Sequence, residues 1–217
     1  MRKVIASSRV FFLLALWFLT PPSVFAGPIE SSAWIEVSRE AGVIFKGAPL
    51  PKEGVGAGVV LPTLEVITAA HVVWGAKKIS VANAIGTVVT AEIVRIDEDA
   101  DIATLRIERP FHQFAAIRSK PVVAGERVSA VGLPRGNEMP TLLSANVGSA
   151  TWTSNGVSVP LIFSGIKGEK GMSGGGLFDA NGELVGIIIR IDGQLNYLNA
   201  LPIVELCKRF LRCAATR

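Results

Sequence analysis

At 217 residues, with 49% apolar and only 18% charged side chains, the chain has the composition of a protein that buries a sizeable core, which excludes a disordered segment. Its formal charge of +4 falls to +1 once residues 1–26 are set aside, because that stretch carries three of the 22 basic residues and none of the 18 acidic ones. No stripe of lysine and arginine remains, so no nucleic-acid partner is expected, and one domain is the default because all-β folds reach this length as single units.

The first element is the N-terminal stretch. Arg2, Lys3 and Arg9 precede the apolar run Val10 to Leu19, then come Pro21-Pro22 and the small-residue ending Val24-Phe25-Ala26. This is the layout of a secretory signal peptide cleaved after Ala26. A run of about ten apolar residues is half of the roughly 20 that a spanning helix needs. The expectation is a leader over 1–26, a mature domain over 27–217, export to the periplasm or the medium, and no stable membrane insertion.

From Gly27 onward, short runs rich in Val, Ile, Thr and Leu alternate with Gly, Pro, Asn and Asp, which is an all-β pattern. Strands are predicted at Val55–Leu61, Ile79–Val81, Thr87–Ile96, Ile102–Ile107, Arg127–Val131, Val157–Phe163, Glu183–Ile189 and Leu195–Ala200, forming a barrel or a sandwich. Asn155-Gly156 and Asn181-Gly182 mark hairpin turns, since both residue types take positive φ at little cost. Ser119 to Gly125, with Pro121 and Gly125, is the best crossover between two halves. Leu201, Val204, Leu206, Phe210 and Leu211 recur on one helical face, so a helix over Leu201–Leu211 is expected on the barrel's outside. Cys207 and Cys213 would lie about 9 Å apart along that helix. A bridge between molecules, a bridge within an unwound helix end and two free thiols all stay open.

Hydrolysis of a peptide bond by a serine requires a base, a group that fixes the base's tautomer, and donors for the oxyanion. The chain has two histidines. His71 follows the apolar strand Val66 to Ala70 and would sit at a strand end, whereas His112 lies in the Pro-punctuated segment Arg109 to Gln113. Ser173 stands in Gly171-Met172-Ser173-Gly174-Gly175-Gly176. Four glycines around one serine add nothing to a core, but they permit positive φ and close backbone approach, which an oxyanion hole built from the N–H groups of Gly171 and Ser173 requires. A phosphate loop is excluded because the lysine precedes its glycine in Gly165 to Ser173 and no βαβ pattern surrounds it. Of Asp97, Asp99 and Asp101, the last directly precedes a buried-looking strand and is the carboxylate that can be shielded from water.

Four segments in order, Gly56-Ala57-Gly58-Val59-Val60, Thr68-Ala69-Ala70-His71-Val72-Val73, Asp101-Ile102-Ala103-Thr104-Leu105 and Gly171-Met172-Ser173-Gly174-Gly175, resemble the trypsin-like serine proteases, within them the bacterial HtrA/Deg-type branch. Val131-Gly132-Leu133-Pro134, Gly182 to Ile187 and Asn199-Ala200-Leu201-Pro202 extend the resemblance over nearly all of the mature chain. It implies two perpendicular six-stranded antiparallel β-barrels, about 27–120 and 121–200, closed by a C-terminal helix over about 201–213. It also implies a serine endopeptidase acting on proteins or peptides, with catalytic His71, Asp101 and Ser173, an oxyanion hole at Gly171 and Ser173, and neither a metal nor an organic cofactor.

The sequence departs from the family at several points. No PDZ module is expected after the protease domain, and Met172 stands where animal trypsins have an aspartate that binds a newly cut N-terminus. Gly176 replaces a common proline. By resemblance the primary pocket has its floor at Lys167 and its wall at Ile189, Arg190 and Ile191, and two cations there would favour an acidic residue before the cut. The competing reading is a trypsin-fold binding protein, or a latent protease whose glycine-rich loop is ordered by a partner. Retention of all three triad candidates favours the enzyme.

Overall fold

The computed structural model describes residues 24–133, 140–148, 152–154, 157–159, 161–191, 196–211 and 213. Nearly all of the expected leader, residues 1–23, lies outside them. The first half contains strands β1 (Val24–Ala26), β2 (Ser32–Arg39), β3 (Ile44–Phe45), β4 (Ala48–Pro49), β5 (Glu53–Val60) and β6 (Glu65–Ala69), the short helix α1 (Ala70–Val73), and strands β7 (Ala76–Asn83), β8 (Val88–Asp97), β9 (Ile102–Ile107) and β10 (Gln113–Ala115). The second half contains β11 (Arg127–Gly132), β12 (Thr141–Asn146), β13 (Trp152–Ser154), β14 (Val157–Val159), β15 (Ile162–Lys167), β16 (Gly176–Asp179), β17 (Leu184–Ile191) and β18 (Tyr197–Pro202), then helix α2 (Ile203–Arg209).

Six strands of the first half close into an antiparallel barrel in the order β2-β5-β6-β9-β8-β7. Alternation sets which face points inward: Ala33, Ile35 and Val37 on β2 and Ile79 and Val81 on β7 are buried, with Val66 and Leu105 in the same core. Closure leaves the barrel without a free edge. The second half forms a six-stranded antiparallel sheet in the order β12-β11-β16-β17-β18-β15 around Val128, Ala130, Ile162, Leu177, Ile188 and Leu198. It curls until its outer strands nearly meet: the Gly148 N–H, just past β12, donates to the Phe163 carbonyl of β15 at 2.9 Å. A third apolar cluster joins the barrels, with Val59, Ile67 and Ile102 from the first and Phe178, Leu184 and Ile187 from the second. At roughly 1.5–3 kcal/mol for each large apolar side chain removed from water, this shared cluster is a main source of the barrels' mutual attachment.

The two-barrel architecture expected from the resemblance is the one observed. Several local expectations shift. The C-terminal helix starts at Ile203 rather than Leu201, because Leu201 and Pro202 pair with Ile187 and Gly186 as the end of β18. It stops at Phe210, whose N–H bonds the Leu206 carbonyl. The unwound end brings Cys207 and Cys213 to a Cα separation of 5.2 Å, and they form a disulfide within the chain. The run Val157–Phe163 divides between β14 and β15. Asn155-Gly156 lies outside the described residues, although β13 and β14 on either side pair antiparallel. At the other hairpin, Gly182 has φ +79° and the Asp179 side chain accepts the N–H groups of Asn181 and Glu183.

The segment from Ser119 to Gly125 carries no strand or helix and links the two halves. It is held at its base by Arg118, which donates to both oxygens of Glu126 at 2.6 and 3.1 Å and to Asp179 at 3.3 Å. Glu126 also accepts the Val123 N–H.

Candidate active site

His71 sits on α1, where the chain leaves β6. Ala69 and Ala70 are fully buried, and residues this small let the turn of helix pack directly against the barrel end. The Ala70 N–H donates to the Asp101 carbonyl at 3.0 Å, tying the start of α1 to the turn between β8 and β9.

Both carboxylate oxygens of Asp101 serve His71. Oδ1 accepts the His71 backbone N–H at 2.9 Å, and Oδ2 lies 2.8 Å from Nδ1. The side chains are 28% and 15% exposed respectively, so the pair is shielded without being sealed. Asp101 takes φ +56°, a left-handed conformation that aspartate tolerates better than most residues. The other two acids have different tasks. Asp97 Oδ1 accepts the Ala100 N–H at 3.0 Å and shapes the turn, while the Asp99 carbonyl accepts Lys46 Nζ at 3.1 Å. An Nδ1–H donated to a carboxylate holds imidazole in the tautomer whose Nε2 lone pair is free to take a proton.

Ser173 is half-buried in the turn between β15 and β16. Its carbonyl accepts the Ala57 N–H of β5 at 2.8 Å, which docks this loop of the second barrel onto the first. Gly174 has φ +85°, and a Cβ there would stand 2.1 Å from the Ala57 carbonyl oxygen and 2.2 Å from Thr68 Oγ1. A Cβ on Gly175 would come within 2.2 Å of the Val131 carbonyl oxygen. Gly174 therefore serves close backbone packing between the barrels, and Gly175 close packing against β11 within the second barrel. Gly56 belongs to the same arrangement, since a Cβ on it would strike Val72, the neighbour of His71, and approach the Ser173 carbonyl at 3.1 Å. Ser173 and the helix bearing His71 thus flank a single glycine. Gly171 has φ +102°, and among the described residues neither its N–H nor that of Ser173 donates to a protein acceptor. Met172 between them is fully buried in the second barrel's core, against Gly132.

Beside His71 and Asp101 opens a cleft of about 880 Å³ walled by Phe45, Ile189, Glu205 and Phe210. Ser173 is not part of its lining, and neither is Lys167, which is exposed at the end of β15 opposite Tyr197. Ile189 is half-buried on β17 and reaches this cleft, whereas Arg190 and Ile191 are described only through their backbone pairing with Asn199 and Leu198. His112 precedes β10 and makes no hydrogen bond to a described residue. Among the described residues no group of three His, Cys, Asp or Glu side chains could hold a metal ion, and no helix is long and apolar enough to cross a membrane.

Sequence reasoning passed over Phe45, whose ring centroid is 6.2 Å from that of His71 and 5.3 Å from that of Trp74. Phe45 is carried by the β3–β4 hairpin, whose turn residues Lys46 and Gly47 take φ +46° and +81°. The Lys-Gly dipeptide was the available signal, and it is weaker than Asn-Gly.

Residues 56–187 match the family described as the trypsin-like peptidase domain. The periplasmic pH-dependent serine endoprotease DegQ of Escherichia coli is 33% identical over 145 residues, covering 63% of this chain and 31% of that protein. The serine protease Do-like HtrA of Lactobacillus helveticus is 31% identical over 154 residues, covering 65% of this chain and 37% of that protein. The chain spans about a third of the length of the curated relatives it matches. Among solved structures, the HtrA-type protease AlgW with tripeptide superposes with a TM-score of 0.68 at 24% identity, over 80% of this chain and 56% of that one. The inactive form of Rv3671c from M. tuberculosis superposes at 0.70 and 22% identity, over 88% and 90%. At these identities the structural likeness speaks for the fold.

Proposed function

This chain belongs to the trypsin-like peptidase family, and from that premise we propose that it is an exported serine endopeptidase in which Ser173 is the nucleophile, His71 the general base and Asp101 the group that orients it. The observation that carries the reading is the double attachment of Asp101 to His71, at Nδ1 and at the backbone N–H. Placing the proton on Nδ1 leaves Nε2 to accept one from the serine.

As Ser173 Oγ bonds to the scissile carbonyl carbon, its proton passes to Nε2 and the carbonyl oxygen becomes an oxyanion. The N–H groups of Gly171 and Ser173 stabilise that charge. Collapse breaks the carbon–nitrogen bond, and His71 returns the proton to the departing amine. Water then repeats the sequence on the acyl ester, releasing the new carboxyl group and restoring the serine hydroxyl. Proteins or peptides are the substrates, and Lys167 with Arg190 would favour an acidic residue before the cut, a preference that equal cleavage after leucine or valine would refute. The basic and apolar N-terminal stretch, together with the periplasmic relative, supports export with cleavage after Ala26.

Fluorophosphonate labelling of the purified chain, beside Ser173→Ala and His71→Ala, tests the assignment, because the probe reacts only with an activated serine. Labelling of the parent and of neither variant is expected. Equal labelling of Ser173→Ala would mean a different nucleophile, and a folded parent that does not label would favour a binding protein of this fold.

A further inference from the structure

Helix α1 consists of four residues, too few to satisfy its own carbonyl groups. The Trp74 N–H returns to the Ala70 carbonyl at 2.8 Å. The carbonyls of His71, Val72 and Trp74 need other donors, and one side chain supplies them. Arg39, the last residue of β2, is only 8% exposed. It donates from Nε to Trp74 O at 2.7 Å, from Nη2 to His71 O at 3.2 Å and also to Val72 O, and from Nη1 to Pro51 O at 3.2 Å.

We propose that Arg39 is a positioning residue for His71: its guanidinium caps the helix that carries the imidazole and fixes the ring against Asp101. The proposal rests on the catalytic reading above. A buried charge needs compensation, and here the direct partners are four backbone carbonyls from two segments, with no carboxylate among its hydrogen-bond partners. Burial accordingly lowers the guanidinium's proton affinity from its ordinary value, with the charge of Glu53 opposing the shift. The planar fork of donors suits this set of acceptors, which a single ammonium group cannot match.

The fold makes room for it. A Cβ on Gly54, in the neighbouring strand β5, would stand 2.5 Å from Nη1. Gly54 is not among the residues with positive φ, so its backbone does not call for glycine; the space of the guanidinium does, with Val37 Cγ2 next at 3.0 Å. The bond to Pro51 extends the same anchor to the segment that follows the β3–β4 hairpin, whose Phe45 lies against both His71 and Trp74. One side chain thereby holds the helix under the imidazole and the base of the aromatic wall beside it.

The test compares Arg39→Ala, Arg39→Lys and Gly54→Ala with Val81→Ala, a destabilising change in the core of the first barrel. Two readouts are followed beside Tm: the rate at which fluorophosphonate labels Ser173, and the downfield proton resonance of the His71 Nδ1–H bonded to Asp101. A displacement of the base by about 1 Å can cost on the order of 10²-fold in rate, so Arg39→Ala should label roughly 100-fold more slowly, with the resonance shifted or broadened. Arg39→Lys should recover part of the rate. Gly54→Ala, which keeps the charge but crowds it, should reproduce the loss even if Arg39→Ala does not fold. Val81→Ala should lower Tm and leave the resonance in place. The proposal is overturned if rate and resonance in the Arg39 and Gly54 variants stay at parental values, or change no more than in Val81→Ala. Should the parent not label at all, the catalytic reading fails, and the resonance alone then decides whether Arg39 positions the ring.

Discussion

Asp101 commits both carboxylate oxygens to His71, and replacing one of them by an amide should separate geometry from chemistry. In Asp101→Asn the oxygen can still accept the backbone N–H, but the amide N–H₂ then faces Nδ1 and drives the proton to Nε2. The labelling rate of Ser173 should fall by roughly 10⁴-fold with the fold retained, as checked by labelling kinetics beside circular dichroism. A loss below tenfold would mean that Asp101 does not set the tautomer. At this scale much was legible. His71 and Ser173 stand in short motifs whose neighbours are local in sequence, and Asp101 was separable from Asp97 and Asp99 by the buried strand that follows it. Arg39 and Phe45 were not legible, because their partners lie on segments distant in the chain, chiefly α1 and Trp74 after it: Arg39 is 32 residues from His71, and an arginine ending a strand reads as a solvated charge until the acceptors converge on it.

Among elements, the crossover is held by charge. The Arg118 guanidinium, hydrogen-bonded to Glu126, keeps that carboxyl below its ordinary value of 4.5. A carboxyl with a depressed folded-state value contributes stability that is present in full above its unfolded value and is lost as pH falls through the folded one. Stability should therefore decline as pH drops below about 4.5, and Arg118→Ala should flatten that part of the curve, as measured by urea unfolding at a series of pH values. The same slope in both proteins would show that the clamp does not contribute. The contribution is modest because Glu126 is 29% exposed and solvent screens the pair. Strands with strong β-branched runs, such as β9, were read from sequence with their observed bounds. Strand β2 escaped notice although it alternates, because Trp34, Glu36 and Ser38 interrupt its apolar run, and only the barrel shows that Ala33, Ile35 and Val37 share an inner face.

For the whole molecule, the cluster between the barrels couples them. Phe178 is fully buried there with Val59 and Ile67 of the first barrel. Truncation in Phe178→Ala should cost about 3–5 kcal/mol and slow Ser173 labelling as well, since Phe178 follows the Gly174–Gly176 backbone that docks on β5. Thermal unfolding monitored together with labelling checks this, and a variant that labels at the parental rate while losing stability would show the barrels to be joined chiefly by the loop itself. The amino-acid sequence by itself determined the all-β class, the apolar core and the order of histidine, aspartate and serine, because alternation, turn residues and motifs act over a few positions of chain. The tertiary structure alone decided that both oxygens of Asp101 meet His71, that Gly174 beside Ser173 serves contact between barrels, that the two cysteines close on each other, and that a distant arginine caps the helix of His71. The contacts of Arg39, Asp101 and Gly174 depend on segments far apart in the chain arriving within 3 Å of one another, and the disulfide on where a helix ends, and no local pattern encodes either.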